Sequence, residues 1–227
     1  MLNKESHENH MKKLLNAIFT NEIGKLLTFK WGTLAYLKHD LDRFSTDIDL
    51  DILDVTQEEK IIKQMREILV RYGDIKNETL GKTLHRWIFR YNQEEMNIKV
   101  ELNKRVWKNN AYEIHNIADT SILCMTKDCI FANKLVALSE RFYSRDLYDV
   151  YFFFRDKFPI NEALIQERTG LSTKVLLQKL VKELPTKFTE NSILTGLGEV
   201  LDDKQKVWVK KHLLIETIKE IKKSLDK

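Results

Sequence analysis

Apolar and polar residues alternate strictly in two stretches of the chain. In residues 47–52 three aspartates alternate with apolar side chains, and residues 97–103 repeat the pattern with other polar residues. A period of two predicts strands with one face on a core and the other face pointing away from it. Looser alternation over 83–91 and a short apolar run at 26–29 predict two further strands.

Apolar residues recur at helical spacing between these strands. The spacing predicts helices over 5–19, 33–42 and 56–72. The last of them opens on Thr-Gln-Glu-Glu at 56–59, which has the form of a capping box, and ends at Gly73. Helices that alternate with strands, followed by further strands, predict one mixed sheet with helices packed on it.

From residue 128 onward the pattern is helical throughout, with Pro159, Gly170 and Pro185 as expected helix limits. The predicted helices are 128–141, 144–155, 160–169, 172–183 and 203–225. Residues 104–127 carry no clear periodicity and are predicted to be irregular. The fold class expected is therefore α+β, with an N-terminal mixed-sheet domain and a helical C-terminal domain. The expected bounds are 1–105 for the first domain, 106–127 for a linker and 128–227 for the second domain.

Composition changes this picture little. The 227 residues carry a formal charge of +4, which permits an RNA or nucleotide partner without requiring one. Cys124 and Cys129 lack the partners of a zinc site and are expected to be buried thiols in a reducing compartment. The N-terminus is polar, and no apolar run approaches the ~20 residues that span a bilayer, so a cytoplasmic protein with no membrane contact is expected. His7, His10 and His39 share no ligand spacing and are expected at the surface.

The acidic strand is the first candidate for chemistry. Asp47, Asp49 and Asp51 fall on one face, about 7 Å apart, and they repel one another unless a cation lies among them. Carboxylate oxygens are ligands suited to a hard divalent ion such as Mg²⁺ or Mn²⁺. A solvated face of an edge strand would give the same pattern, because charges there discourage aggregation. The pattern alone leaves both interpretations open.

Residues on either side of the acidic strand favour phosphate chemistry. Gly32-Thr33 lies between a predicted strand and a predicted helix, where a backbone free of a side chain can approach a phosphate. Glu101 lies on the polar face of a later strand and is a candidate third metal ligand, with a cross-strand ion pair as the alternative. Nucleotidyl transfer uses this combination of a phosphate turn with metal-binding carboxylates.

A second charged cluster lies on the helices of the C-terminal half. Lys134 and Arg141 share one helix face, and Asp146 and Asp149 share a face of the next helix. Apolar neighbours predict that both helices are buried, so these charges need partners and have a structural or a functional role. The lysines of the last helix form a solvated face or a phosphate-binding surface, and the sequence leaves both open.

Taken together, Gly32-Thr33, the segment 43–49, Lys134 with Arg141, and the segment 145–149 resemble the AbiEii/AbiGii-type abortive-infection toxins. These are nucleotidyltransferases of the polymerase-β superfamily, and the resemblance runs in order over about residues 12–155. It implies the following roles: Asp47 and Asp49 as ligands of Mg²⁺ or Mn²⁺, Gly32, Thr33 and Ser45 around the triphosphate, Lys134 on a nucleotide phosphate, and Asp146 completing the active site. Trp31 departs from the family, which usually has glycine there, and would crowd the phosphate or stack on a base.

The resemblance also implies an activity. The expected reaction is transfer of NMP from an NTP to an acceptor, RNA and in particular tRNA, in a groove between the two domains. The expected role is the toxin of a toxin–antitoxin or phage-defence system with a cognate antitoxin protein. An antibiotic-modifying nucleotidyltransferase acting on a small molecule is the alternative enzyme. A catalytically dead binding protein is a third reading, favoured by Trp31 alone and opposed by Asp47, Asp49 and Lys134.

Overall fold

The computed structural model describes residues 3–91 and 97–226. By internal contacts the chain divides into two compact units, and each unit is formed by two separate segments. The first unit comprises Met1–Val106 and Ala111–Met125, and the second comprises Trp107–Asn110 and Thr126–Lys227.

The first unit is built on a seven-stranded sheet with the order β3-β4-β5-β2-β1-β7-β6. The strands are β1 (Leu27–Lys30), β2 (Asp47–Ile52), β3 (Asp74–Leu80), β4 (Leu84–Arg90), β5 (Ile98–Asn103), β6 (Tyr112–Ile117) and β7 (Thr120–Met125). Strands β2 and β5 run parallel, as do β1 and β7, and the remaining neighbours are antiparallel. This mixed sheet, with helices forming the C-terminal half, confirms the α+β class expected from the periodicity.

Strands β1 and β2 form the centre of the sheet because their residues are apolar on the core side. Ile48, Leu50 and Ile52 are fully buried, as the alternation predicted. Trp87 and Phe89 of β4 are also fully buried. Removing such side chains from water is the main stabilising contribution to the sheet.

Residues 112–125 form a hairpin, so the expectation of an irregular stretch over 104–127 is wrong. Strands β6 and β7 pair antiparallel, and β7 lies beside β1 in the sheet. Their turn is Ala118-Asp119, with φ angles of 52° and 59°. Tight hairpin turns of this left-handed kind usually carry Asn-Gly or Asp-Gly. The sequence therefore lacks the usual turn signal.

Three helices complete the first unit: α1 (Lys4–Phe19), α2 (Trp31–Lys38) and α3 (Glu58–Tyr72). The predicted capping box at 56–59 is wrong. Instead, the Asp54 side chain accepts a hydrogen bond from the Thr56 amide and caps a short 3₁₀ turn that precedes α3. Aspartate is a strong cap in such turns because its carboxylate accepts from amides left without a helical partner.

The second unit is helical. Its helices are α4 (Lys127–Arg141), α5 (Ser144–Arg155), α6 (Glu162–Thr169), α7 (Thr173–Lys187), α8 (Asp203–Trp208) and α9 (Leu214–Leu225). A π-helical turn at Val209–Leu213 joins α8 to α9. Pro185 was expected to end a helix, but α7 continues to Lys187. Only the last turn follows this proline, so its missing N–H removes little from the helix.

The segment Trp107–Asn110 belongs to the helical unit although it lies between two strands of the sheet in sequence. The Glu167 carboxylate accepts hydrogen bonds from the amides of Lys108 and Asn109, at 2.8 and 2.9 Å. The Asn161 side chain donates to the Asn109 carbonyl. These contacts fix the segment on α6, where a free linker had been expected.

Both cysteines are buried thiols, as expected, and they form no disulfide. Burial, reinforced by the charge of Glu113, raises the pKa of the Cys124 thiol to about 12. The thiol therefore stays protonated and unreactive at neutral pH. Across residues 3–91 and 97–226, none of the helices has the length and apolar character needed to cross a membrane.

Candidate active site

The acidic face of β2 lies in the middle of the sheet. Its neighbours are β1 on one side and β5 on the other, so the interpretation as a solvated edge strand is wrong. Asp47 and Asp49 are half-buried, and Asp51 is fully buried. Parallel β5 places Lys99 beside Asp47 and Glu101 beside Asp49 on the same face.

Lysines from the neighbouring strands balance this negative charge. The Lys99 ammonium lies 2.7 Å from the Asp47 carboxylate and 3.8 Å from that of Glu101. Lys30 is only 3% exposed, and its ammonium donates to the buried Asp51 carboxylate. Buried carboxylates need such partners because desolvation disfavours an isolated charge. The cations that hold the acids together in this structure are therefore side chains of the protein.

Glu101 forms the cross-strand ion pair that had been the alternative to metal binding. Its carboxylate accepts a hydrogen bond from Arg86 Nε of β4 at 2.7 Å. It is also in register with Asp49 of β2, so the carboxylates lie on adjacent strands and one face. A metal role for Glu101 stays a prediction, and it would require Arg86 to share or release this carboxylate.

Next to the acidic face, α2 and the loop before β2 form a small polar cradle. The Thr33 hydroxyl lies 2.8 Å from that of Ser45 and donates to the main-chain carbonyl of Asp47. A Cβ atom added to Gly32 would lie 3.0 Å from the Arg43 guanidinium and 3.3 Å from the Ser45 hydroxyl. Gly32, Thr33 and Ser45, which the sequence selected for the triphosphate, thus share one place beside Asp47.

Arg43 is a part of this cradle that was not predicted as a site residue. It is 3% exposed, and its guanidinium donates to the Phe44 carbonyl at 3.1 Å. Guanidinium groups bind phosphate through parallel hydrogen bonds. The only sequence signal was the position of Arg43 at the start of the segment 43–49, which does not show that the side chain returns toward Gly32.

Trp31 occupies a left-handed backbone conformation at the start of α2, with φ at 64°. Such a conformation costs a non-glycine residue about 1–2 kcal/mol. The Lys30 ammonium lies 4.2 Å from the centre of the indole ring, which is a favourable cation–π contact. The indole therefore covers the buried lysine that holds Asp51, which gives the tryptophan a structural role here.

Replacing Gly32 by alanine should weaken nucleotide use without unfolding the protein. The new methyl group would press on Arg43 and Ser45, and a displacement of about 1 Å in a phosphate site can cost up to about a hundredfold. We expect KM for the NTP to rise about tenfold, with a thermal midpoint equal to that of the wild type. An unchanged KM would show that the cradle does not contact the triphosphate.

The charged cluster of the second unit is a buried network. The Lys134 ammonium lies 3.0 Å from the Asp146 carboxylate and 2.7 Å from that of Asp149. Arg141 donates two hydrogen bonds to Asp146, at 2.6 and 3.0 Å. Lys134 is 6% exposed, Asp146 1% and Asp149 0%. The prediction of buried, paired charges is confirmed for Lys134, Asp146 and Asp149, whereas Arg141 pairs with Asp146 from an exposed position.

This network determines how Asp146 titrates. Burial by itself would raise the pKa of this carboxyl group, but the charges of Lys134 and Arg141 outweigh burial and hold the pKa at about 2. A carboxylate whose pKa is lowered on folding contributes stability above its ordinary pKa near 3.8, and that contribution disappears as the pH falls toward 2.

Acid should therefore remove stability through Asp146. We expect the free energy of unfolding to fall by about 2 kcal/mol from this group between pH 5 and pH 2. Urea titrations at several pH values would measure the decline. The Asp146→Asn variant should be less stable at pH 5 and should decline less steeply below pH 4. An equal slope in both proteins would contradict the assignment.

A divalent metal ion fits the donor chemistry of the β2 face. Within the described part of the chain, no three His, Cys, Asp or Glu side chains come together as a metal site. Mg²⁺ does not need such a cage, because it is commonly bound by one or two carboxylates together with substrate phosphates. Asp47 and Asp49, beside the Gly32–Ser45 cradle, offer that set of carboxylates.

Comparisons with known proteins place the fold among nucleotidyltransferases. JHP933 from Helicobacter pylori is 19% identical, with a TM-score of 0.60 and coverage of 100% of this chain and 95% of that one. A candidate nucleotidyltransferase from H. pylori is 20% identical, with a TM-score of 0.60 and coverage of 98% and 97%. An antigenic nucleotidyltransferase-like protein from Paracoccidioides brasiliensis is 15% identical, with a TM-score of 0.53 and coverage of 85% and 93%. A search of curated proteins found no significant match.

The fold is therefore that of a nucleotidyltransferase. The family model for the nucleotidyl transferase AbiEii toxin of type IV toxin–antitoxin systems matches residues 13–209. The chain belongs to this family. It is a nucleotidyltransferase enzyme and a toxin, and membership implies an NTP substrate and a cognate antitoxin. The resemblance to the AbiEii-type nucleotidyltransferase toxins that the sequence motifs indicated is therefore confirmed.

Proposed function

We propose that the protein transfers NMP from an NTP to an RNA acceptor, with release of pyrophosphate. The observation that carries the proposal is the cradle of Gly32, Thr33 and Ser45 directly beside Asp47. It offers polar side chains around a glycine, next to carboxylates suited to a divalent ion, as a site for a triphosphate. Arg43 adds a buried guanidinium to the same place.

Each residue has a distinct part in this proposal. Asp47 and Asp49 would hold Mg²⁺ or Mn²⁺, with Glu101 as the candidate third ligand. The ion would neutralise the charge of the phosphates and activate the attacking hydroxyl of the acceptor. The cradle would orient the triphosphate, and Arg43 would bind its charge. Lys134 would contact a nucleotide phosphate, with its ammonium held in one position by Asp146 and Asp149.

The choice of RNA as acceptor rests on the mildly basic chain, with a formal charge of +4, and on the lysine-rich last helix. Several of those lysines form ion pairs with neighbouring acids, including Lys206 with Asp203 and Lys219 with Glu216. Lys210, Lys211 and Lys222 are exposed cations of the same region. These exposed lysines support RNA, and tRNA in particular, as the proposed acceptor.

A labelling experiment tests donor and acceptor together. The purified protein would be incubated with each α-labelled NTP in turn and with total RNA, tRNA or cell protein, in Mg²⁺. Label in RNA supports the proposal, and label in tRNA alone would name the acceptor. Label in protein, or in a small molecule only, would overturn the RNA assignment. If the wild-type protein labels nothing beyond what the Asp49→Asn variant labels, the proposed transfer is overturned.

A further inference from the structure

His7 is fully buried, whereas a surface position had been expected for it. It lies in the first turns of α1 and contacts two distant segments of the chain. Its Nε2 lies 3.2 Å from the main-chain carbonyl of Thr46, and its Nδ1 lies 2.9 Å from the Tyr91 hydroxyl. The residue therefore joins α1 to the loop that leads into the acidic strand.

The chemistry of the Thr46 partner fixes the direction of one of these hydrogen bonds. A carbonyl oxygen can only accept, so Nε2 carries a proton and donates it to Thr46. Nδ1 lies within hydrogen-bond distance of the Tyr91 hydroxyl, so both ring nitrogens have a polar partner. The ring cannot rotate or move without breaking the buried hydrogen bond to Thr46 or the partly buried one to Tyr91, which is costly.

Aromatic rings hold the imidazole from the sides. Phe44 meets it edge-on with ring centres 5.8 Å apart, and Tyr91 does so at 5.5 Å. His10 stacks on Tyr91 with ring centres 4.1 Å apart, and its Nδ1 donates a hydrogen bond to the Ser6 carbonyl within its own helix. His10 thus supports Tyr91 without touching the loop in these contacts.

Thr46 directly precedes Asp47 and follows Ser45, so its carbonyl lies between a cradle residue and a proposed metal ligand. The Thr46 hydroxyl also lies 3.3 Å from the Asp47 carboxylate. From α2, Thr33 donates to the Asp47 carbonyl. The main chain is therefore held on both sides of the Asp47 Cα atom: α1 binds the Thr46 carbonyl through His7, and α2 binds the Asp47 carbonyl through Thr33.

We propose that His7 is a positioning residue of the active site, which holds the main chain at Thr46 and through it the carboxylate of Asp47. It precedes residue 13, where the match to the family model begins. His7 therefore lies outside the segment that the family model matches, whereas its partner Thr46 lies inside it. Its catalytic consequence rests on the proposed role of Asp47 in nucleotide transfer.

Four variants test this role. His7→Phe keeps a ring without its hydrogen bonds, and His7→Gln restores an amide that can donate to Thr46. Tyr91→Phe removes one hydroxyl, and His10→Phe is the matched control. Hydrogen–deuterium exchange would be measured over the segment 43–48 in each protein. Exchange should accelerate about tenfold in His7→Phe, return toward wild type in His7→Gln, and stay unchanged in His10→Phe.

Transfer kinetics give the second readout. Loss of a group that orients a ligand residue typically costs about 10–100-fold, so kcat of His7→Phe should fall about tenfold, with a smaller change in KM for the NTP. Tyr91→Phe should show a smaller fall of the same kind, and it decides the matter if His7→Phe does not fold. The proposal would be overturned if His7→Phe exchanged over 43–48 at the wild-type rate. If His7→Phe does not fold, the same result in Tyr91→Phe would overturn it.

The two readouts fail separately. If the wild-type protein transfers no nucleotide, the proposed function falls, and the exchange measurement still decides whether His7 holds the loop. If exchange accelerates while kcat stays at the wild-type value, the loop is held by His7 but Asp47 does not depend on it, and the positioning role is refuted.

Discussion

Replacing Asp49 by asparagine is expected to abolish nucleotide transfer while the protein stays folded. Asp49 is half-buried on the central strand, in register with Glu101 of the neighbouring strand. Asparagine keeps the shape of the side chain and removes the negative charge that a divalent ion would need. The rate should fall by about a thousandfold or more, as on removal of a residue essential to the reaction. Transfer from an α-labelled NTP measures it.

Asp51→Asn is the matched control, because Asp51 lies on the same strand and the same face. Its carboxylate is fully buried and holds the Lys30 ammonium and the Asn103 side chain. Removal of one partner from a buried pair costs about 3–5 kcal/mol, so Asp51→Asn should lose stability. Asp49→Asn should instead keep the wild-type thermal midpoint and lose Mn²⁺ binding in calorimetry. Wild-type transfer by Asp49→Asn would refute the metal assignment.

The Lys134→Ala variant is expected to lose both activity and a large part of its stability. Lys134 lies between two buried carboxylates, and its removal leaves the charges of Asp146 and Asp149 without that ammonium. The free energy of unfolding should fall by about 3–5 kcal/mol. Arg141→Ala is the control, because the Arg141 side chain is 41% exposed and Asp146 keeps Lys134. Its cost should be clearly smaller in chemical denaturation.

A double variant separates the two roles of Lys134. Lys134→Met combined with Asp149→Asn removes one positive and one negative charge together, and neutral replacement of a buried pair is often tolerated. Stability should recover toward the wild type, while transfer should stay lost, because the ammonium proposed to contact the phosphate is absent. Recovery of both stability and transfer would show that Lys134 is structural only.

The sequence predicted those parts of the fold whose signal is local. Strands β2 and β5 alternate strictly, and α4 and α5 carry long helical patterns, so their type and bounds could be predicted. The hairpin of β6 and β7 was missed because its turn is Ala118-Asp119, without the glycine that usually marks such a turn.

The candidate site shows the same division. Asp47 and Asp49 stand out because their alternation is visible within one strand. The cations that neutralise the acidic face could not be predicted, because Lys30 and Lys99 come from other strands and meet the acids only through the sheet register. His7 was misjudged for a similar reason, since both of its hydrogen-bond partners are distant in sequence.

The division of each unit into two segments has a consequence for the way the protein is made. Strand β7 pairs with β1 in the middle of the sheet, yet it lies after the segment Trp107–Asn110, which is bound to the helical unit. A ribosome must therefore synthesise the chain as far as Met125 before the sheet can be completed. Until then β1 presents an unpaired edge, which is prone to pair with other chains. A fragment that ends before β6 should for the same reason aggregate when it is expressed alone.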